Sequence, residues 1–314
     1  MLTNARFKMI KKLIFISISV SILIFLFKKI EWHNIYAVYV HANHNWLILG
    51  FLISFISPFI ITMRWHYALL AQDISLPFYR RFESIMIAYT AHIITPSKTG
   101  DVIKGFVLRD IAPISTTVSA VIAERLGDIL VLLCLTVFSA TYTLNFTLGI
   151  ITISVLLMFS GFVLLIPTNK PKKFFLRPIS TVFEILIRGM TVWKLHPTRM
   201  LMSCSWSSLQ WLLASVQVYL FYHAMGINMP ILLVIAIFPM ITLISLLPIT
   251  FSGLGIRDVA YIFFFSHYAP IQVNMAVSLM YFACNYIFTA LAGSVFLQKV
   301  LLSTNASRHV INLQ

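Results

Sequence analysis

The sequence predicts an all-α polytopic membrane protein with about six full transmembrane helices and two re-entrant broken-helix hairpins in a pseudo-inverted arrangement. Of its 314 residues, 60% are hydrophobic and 10% are charged, whereas a soluble domain carries about 25% charged residues. Several apolar runs approach or exceed the roughly 20 residues that a helix needs to cross a bilayer. Two other apolar stretches are interrupted by proline and glycine. Residues 1–314 are therefore expected to form a single integral membrane domain.

Six apolar runs are long enough to be full spans, and the charges between them orient the chain. The predicted spans are 13–27, 46–63, 118–140, 147–167, 200–224 and 274–298. The loop 168–199 carries seven Lys or Arg residues against one acid, Glu184, and such an excess of cations marks a cytoplasmic loop. The same tendency predicts a plasma (inner) membrane protein with both termini in the cytoplasm. Basic residues flank 13–27 without an apparent cleavage site, which favours an uncleaved span.

With these orientations, two stretches enter and leave the membrane on the same side. Residues 82–117 begin and end inside and are broken at 95–100, whereas residues 230–273 begin and end outside and are broken at 247–255. Irregular backbone at membrane depth is tolerated only where protein shields it or where it lines a wet cavity. Two such breaks from opposite faces are typical of an inverted repeat around a midplane site. The alternative is that either segment simply crosses.

The basic loop 168–199 contains a stretch, 174–193, with polar and apolar stripes at helical spacing. This pattern is typical of an interfacial amphipathic helix on the cytoplasmic leaflet. A helix that packs under the bundle fits the pattern equally well.

Several classes of function are disfavoured by the composition and the motifs. The net charge of +14 comes from short basic stretches between apolar runs, which face lipid headgroups rather than nucleic acid. The three cysteines lie apart in apolar runs and indicate neither a disulfide nor a metal site. The histidines lack metal-binding spacing, and no nucleophile elbow or phosphate-binding loop is present, so we expect no metal and no cofactor.

Charged residues cluster at three places that lie at membrane depth, where a charge is costly and indicates a functional site by default. Glu124 and Asp128 lie four apart on one helix face, so they need nearby cations or a proton; Lys104, Arg125 and Arg257 are the candidates. A buried ion-pair cluster that only fixes the fold is the alternative. The three groups are Lys98, Asp101, Lys104 and Arg109; Glu124, Arg125 and Asp128; and Arg257 and Asp258.

Each break also places glycine and a base next to the start of a half-helix. A half-helix N-terminus offers unpaired N–H groups and the positive end of a dipole, which suit phosphate. Lys104 near the first break and Arg257 near the second would make the midplane cavity basic and anion-seeking.

Three motifs in order resemble the flippase-like family that shares its membrane region with lysylphosphatidylglycerol synthases of the multiple peptide resistance factor type. They are PSKTGDVIKGFVLRD (96–110), AVIAERLGDIL (120–130) and LPITFSGLGIRDVAYIFF (247–264). The matching positions are Gly100, Asp101 and Lys104, then Glu124 and Arg125, then Gly253, Gly255, Arg257 and Asp258. Lys104 and Asp258 depart from the family's common Arg and Glu, and lysine loses bidentate phosphate recognition.

The resemblance implies a lipid translocase, and not an enzyme, because the aminoacyl-transferring domain of the synthases is missing. We expect it to move a phosphate-bearing anionic lipid, either a phospholipid or a polyprenyl-phosphate-linked precursor. An alternative is a non-transporting membrane partner of a lipid-linked glycosyltransferase, since relatives work beside such enzymes. A third reading, an intramembrane enzyme, rests only on the pair Glu124 and Asp128.

The site residues have two predicted roles. Three cations and three glycines would bind the lipid phosphate, and four acids would orient the cations or carry protons. The first set is Lys104, Arg125, Arg257, Gly100, Gly253 and Gly255, and the second is Asp101, Glu124, Asp128 and Asp258.

Overall fold

The computed structural model describes residues 36, 38–95, 99–142, 146–165, 177–246 and 255–299. In these ranges all regular elements are helical, which confirms the all-α prediction for this part of the chain. The helices are α1 (His44–Leu70), α2 (Phe78–Ile94), α3 (Ile103–Val107), α4 (Ile114–Tyr142), α5 (Phe146–Leu165), α6 (Arg177–Leu195), α7 (Pro197–Ala224), α8 (Ile231–Ser245), α9 (Ile256–Phe265) and α10 (Ile271–Phe282). A 3-10 turn (Thr99–Val102) precedes α3, and a π-helical segment (Ala283–Phe288) extends α10.

The long helices coincide with five of the six predicted apolar runs, and the first run, 13–27, lies outside the described residues. Two helical stretches in the described part of the chain are long and apolar enough to cross a membrane, His44–Leu70 and Ile271–Lys299. Helix α1 also exposes a row of large apolar side chains, as expected for a surface that faces lipid. These exposed residues are Ile48, Leu49, Leu52, Phe55, Ile56 and Phe59. The total number of spans stays a prediction.

Helices α1 and α7 pack antiparallel over their full lengths. Four hydrogen bonds mark the register at seven-residue steps, the spacing of a coiled-coil seam. Asn43 N donates to Ala224 O (2.7 Å), Gln217 Nε2 to Gly50 O (2.9 Å), Gln210 Nε2 to Ser57 Oγ (3.2 Å) and Ser203 Oγ to Arg64 O (3.3 Å). The seam extends about 30 Å at 1.5 Å per residue, which matches the hydrocarbon thickness of a bilayer. Polar groups therefore follow this helix pair through its whole depth.

Contacts join residues that lie near the two ends of each broken segment. Arg80, at the start of α2, contacts Asp110, after α3, with 2.5 Å between Nη2 and Oδ2. At the other end of the bundle, Tyr222 near the end of α7 donates to Asn274 near the start of α10 (2.8 Å). The ring of Tyr222 also lies 4.8 Å from that of Phe265, the last residue of α9.

Helix α6 packs on α4 along part of its length and leaves an apolar edge exposed. A Cβ at Gly189 would lie 2.8 Å from Ser119 O, so the two helices touch through backbone. Arg188 Nε donates to Gln72 Oε1 (3.0 Å), which ties α6 to the loop after α1. Phe183 and Leu186, one to two turns earlier, are exposed. The position of α6 relative to the membrane surface stays a prediction.

Candidate functional site

A cluster of buried charges lies where α1, α3 and α4 meet. We call it the charge cluster, and its three cations face three carboxylates. Each of the six side chains is buried, except for Arg125, which is half-buried. The members are Arg64, Asp101, Lys104, Glu124, Arg125 and Asp128.

Arg64 is the centre of the charge cluster. Its Nε donates to Glu124 Oε1 (2.7 Å) and its Nη1 to Asp128 Oδ1 (2.5 Å). The predicted second span, 46–63, ends one residue before Arg64, which is too early. Helix α1 continues to Leu70, and Arg64 is buried in its last two turns. The bridging cation that Glu124 and Asp128 require is thus Arg64, together with Lys104 and Arg125.

Lys104 is fully engaged by its neighbours. Its Nζ donates to Glu124 Oε2 (2.8 Å) and lies 3.2 Å from Asp101 Oδ1. The same ammonium sits 4.7 Å from the ring centroid of Trp65, a cation–π distance. Only 1% of the side chain is exposed. A phosphate therefore reaches Lys104 only after these contacts open.

Arg125 is the accessible cation of the charge cluster. Its side chain is 22% exposed, against 3% or less for Arg64 and Lys104. Its Nη1 donates to Asp128 Oδ2 (2.8 Å), and its Nη2 contacts Asp101 Oδ2. Ser207 also donates to Asp128, so that carboxylate keeps a partner when Arg125 moves.

Gly100 allows the first break to fold back onto α2. A Cβ there would lie 2.8 Å from His92 Cδ2 and 3.1 Å from the Ala91 carbonyl carbon, so a side chain would push the turn away. The close approach brings Asp101 Oδ1 to 3.3 Å from His92 Nε2. Gly100 thus positions Asp101 beside α2.

Lys98 lies outside the described residues, and Arg109 is exposed.

Asp258 caps helix α9 at the second break. Its Oδ2 accepts the Gly255 N–H (2.9 Å), and its Oδ1 accepts the Ser278 hydroxyl (2.5 Å). Gly255 has a φ of 85°, a left-handed conformation that glycine adopts without strain. A carboxylate at this position satisfies an otherwise free backbone donor. Gly253 and the rest of the break, 247–254, lie outside the described residues.

Arg257 lies in an aromatic enclosure next to Asp258. Its Cζ is 5.2 Å from the ring centroid of Phe282, 5.4 Å from that of Tyr286 and 5.9 Å from that of Tyr281. Its Nε contacts Ser278 Oγ at 3.4 Å, and its Nη2 is 3.7 Å from Asp258 Oδ1. Neither terminal nitrogen has a hydrogen-bond partner among the described residues. Arg257 therefore retains donors for an anion.

A cavity of about 60 Å³ borders the charge cluster. One wall carries Arg64, Asp101 and Arg125, and another carries the two tyrosines whose rings contact Arg257. Part of the lining comes from the π-helical segment, a distortion that is frequent at functional sites. The volume suits a few water molecules, so a lipid headgroup needs a more open state. The remaining polar lining residues are Ser57, Tyr89, His92, Gln210, Trp211 and Asn285.

The structure brings most of the predicted site residues together and adds some that the sequence analysis missed. Asp101, Lys104, Glu124, Arg125 and Asp128 form one cluster. Arg257 and Asp258 form a second group, in which Arg257 contacts two tyrosines that line the cavity, rather than bridging Glu124 and Asp128. The missed residues are Arg64, His92 and the cavity-lining tyrosines of the last helix, Tyr281 and Tyr286.

Apolar helices at the surface, with charges and a polar cavity inside, define a helical integral membrane protein. The chain belongs to the family described as the Lysylphosphatidylglycerol synthase TM region, whose model matches residues 12–293. This match confirms the resemblance inferred from the three motifs. The chain is also similar to the UPF0104 membrane protein MJ1078 of Methanocaldococcus jannaschii, with 25% identity over 217 residues. That alignment covers 64% of this chain and 90% of the archaeal protein. Membership of this family indicates a membrane function related to lipids.

Proposed function

We propose that this protein moves a phosphate-bearing anionic lipid across the inner membrane. The observation that carries the proposal is the cavity, because the charge cluster lines it directly and Arg257 contacts the two tyrosines that line its other wall. Arginines that are paired with carboxylates line this cavity, and their N–H groups can replace the water that hydrates a phosphate. The cargo would be a phospholipid or a polyprenyl-phosphate-linked precursor, with its acyl chains left in lipid.

Binding would proceed by exchange of partners within the cavity. Arg125 reaches the cavity directly, whereas Arg257 lies behind the rings of Tyr281 and Tyr286. Phosphate oxygens can take the place of carboxylate oxygens on a guanidinium, because both accept two parallel N–H bonds. Movement of the two tyrosines would expose Arg257 and enlarge the cavity. Lys104 would join only when Asp101 and Glu124 release it.

We further propose the topology that this function needs, with six spans, two re-entrant hairpins and cytoplasmic termini. The antiparallel pair α1–α7 supports it, since residues 64 and 203 then lie on one side and 43 and 224 on the other. The contact between Arg80 and Asp110 supports a first hairpin that returns to its starting face. The group Tyr222, Phe265 and Asn274 supports a second hairpin at the opposite face.

Replacement of Arg125 by glutamine tests the proposal. We expect the rate of lipid flipping in proteoliposomes to fall about 100-fold, since a charge-assisted bond to phosphate contributes up to about 3 kcal/mol. The fold should persist, because Asp128 keeps Arg64 and Ser207 as partners. The assay follows dithionite quenching of acyl-labelled phosphatidylglycerol, with protein-free vesicles as the background.

An exposed arginine supplies the matched control. Arg109→Gln removes the same charge from the loop after the first break and should flip lipid at the wild-type rate. Wild-type flipping by Arg125→Gln would contradict the site assignment. If folded wild-type protein flipped no anionic lipid, the alternative of a non-transporting partner for a lipid-linked glycosyltransferase would be favoured.

A further inference from the structure

We propose that one proton moves with each lipid phosphodiester and that His92 binds this proton in the cavity. The inference rests on the proposed function and names the coupled ion. It is carried by the charge balance around the cavity and by the position of His92.

The described side chains around the cavity are already balanced in charge. The three cations of the charge cluster face three carboxylates, and Arg257 is adjacent to Asp258. A phosphodiester that enters this site adds one negative charge to a set of described side chains in which every cation already faces a carboxylate. Uncompensated charge at membrane depth is costly. A proton that enters together with the lipid restores neutrality.

The oxygens of Glu124 and Asp128 in the charge cluster already accept hydrogen bonds from several donors. Glu124 accepts hydrogen bonds from Arg64 and Lys104, and Asp128 accepts them from Arg64, Arg125 and Ser207. A proton on either carboxylate would have to displace one of these donors. The proton therefore needs another group that lines the cavity.

His92 is a titratable group that lines the cavity and adds no charge when neutral. It is buried, and its Nε2 lies 3.3 Å from Asp101 Oδ1. Imidazole is the side chain that ordinarily gains and loses a proton between pH 5 and 8. The titratable or charged groups facing it are Tyr89 of its own helix, Asp101 of the 3-10 turn, Arg64 of α1, Arg125 of α4, and Tyr281 and Tyr286 of the last helix.

Protonation of His92 would also release the phosphate-binding cation. The imidazolium formed by proton uptake attracts Asp101, which now contacts both Lys104 and Arg125. As Asp101 turns toward His92, the Arg125 guanidinium becomes available to the phosphodiester. On the opposite side the lipid leaves, Asp101 returns to Arg125, and His92 gives its proton to water. One monoanion and one proton cross together, so no net charge moves.

Electroneutral coupling has a distinct signature in proteoliposomes. With acyl-labelled phosphatidylglycerol in phosphatidylcholine vesicles, a pH difference of one unit should concentrate the probe about tenfold in the leaflet on the alkaline side. A potassium diffusion potential of about 100 mV should leave the probe evenly distributed. An uncoupled monoanion would instead be concentrated about 50-fold by that potential.

The wild-type measurement decides the coupling, and two variants test His92. His92→Asn should lose the tenfold accumulation. His223→Asn, which replaces a half-buried histidine outside the cavity, should keep it. Accumulation that follows the potential, or an even distribution under both gradients, would overturn the proton coupling and leave translocation intact. Retained accumulation in His92→Asn would overturn the role of His92. Only a complete absence of flipping counts against the proposed function itself.

Discussion

Replacement of Arg64 by methionine is expected to destabilise the protein more than any other single change in the charge cluster. Methionine fills a similar volume but removes the cation that contacts both Glu124 and Asp128. These two acids lie four residues apart on one helix and would repel each other. Removal of one partner from a buried ion pair costs about 3–5 kcal/mol. For a chain of this size the unfolding midpoint in detergent should fall by on the order of 10 °C.

Arg199 is the matched control for Arg64. It also joins α7 to the end of α1, through Asp73 Oδ1 at 2.9 Å, but its side chain is 39% exposed. A surface ion pair contributes about 1 kcal/mol or less, so Arg199→Met should shift the midpoint slightly. Addition of Glu124→Gln and Asp128→Asn to Arg64→Met should recover part of the loss. Equal midpoints for Arg64→Met and Arg199→Met would contradict the central role of Arg64.

Replacement of Arg257 by alanine is expected to slow lipid flipping strongly while the protein stays folded in the membrane. Asp258 keeps its bonds from Gly255 and Ser278, so the cap of α9 does not depend on Arg257. The lost guanidinium provides two donors with no hydrogen-bond partner among the described residues. Loss of a charge-assisted contact of about 3 kcal/mol corresponds to a decrease of about 100-fold in rate.

A second substitution separates charge from geometry at this position. Arg257→Lys keeps the cation but loses the planar pair of donors, so we expect a rate between wild type and Arg257→Ala. Arg109→Ala, in an exposed loop, should flip lipid normally. Wild-type flipping by Arg257→Ala would show that Arg257 does not take part in binding the lipid phosphate. A lysine variant as inactive as alanine would show that bidentate geometry is essential.

The helices and much of the charge cluster could be predicted because their signals are local. Apolar runs mark α1, α4, α5, α7 and α10, and charges inside such runs mark Glu124, Arg125 and Asp128. Pro and Gly at the breaks indicate where Asp101 and Lys104 return toward the bundle. These features depend on residues close in sequence, so one chain suffices to find them.

The contacts that complete the site could not be predicted because they join distant segments. A hydropathy window ends the second span before Arg64, since arginine is unfavourable in lipid unless partners 60 residues away offset its charge. The sequence does show that no proline or glycine follows Arg64 before residue 71, a signal that the helix continues. The residues next to His92 in the sequence do not indicate that it pairs with Asp101 across a turn. Those next to Arg257 do not indicate its contact with the rings of Tyr281 and Tyr286.

The central claim is that a lipid headgroup enters the cavity that borders the charge cluster. A phosphatidylglycerol with a photoactivatable group on its headgroup, incorporated into proteoliposomes and analysed by mass spectrometry, tests this claim most directly. We predict adducts on Tyr89, Asn285 or Tyr286, which line the cavity, and fewer adducts when Arg125 is replaced by glutamine. Adducts confined to the exposed face of α1, at residues such as Leu52 and Phe59, with equal yield in both proteins, would contradict it.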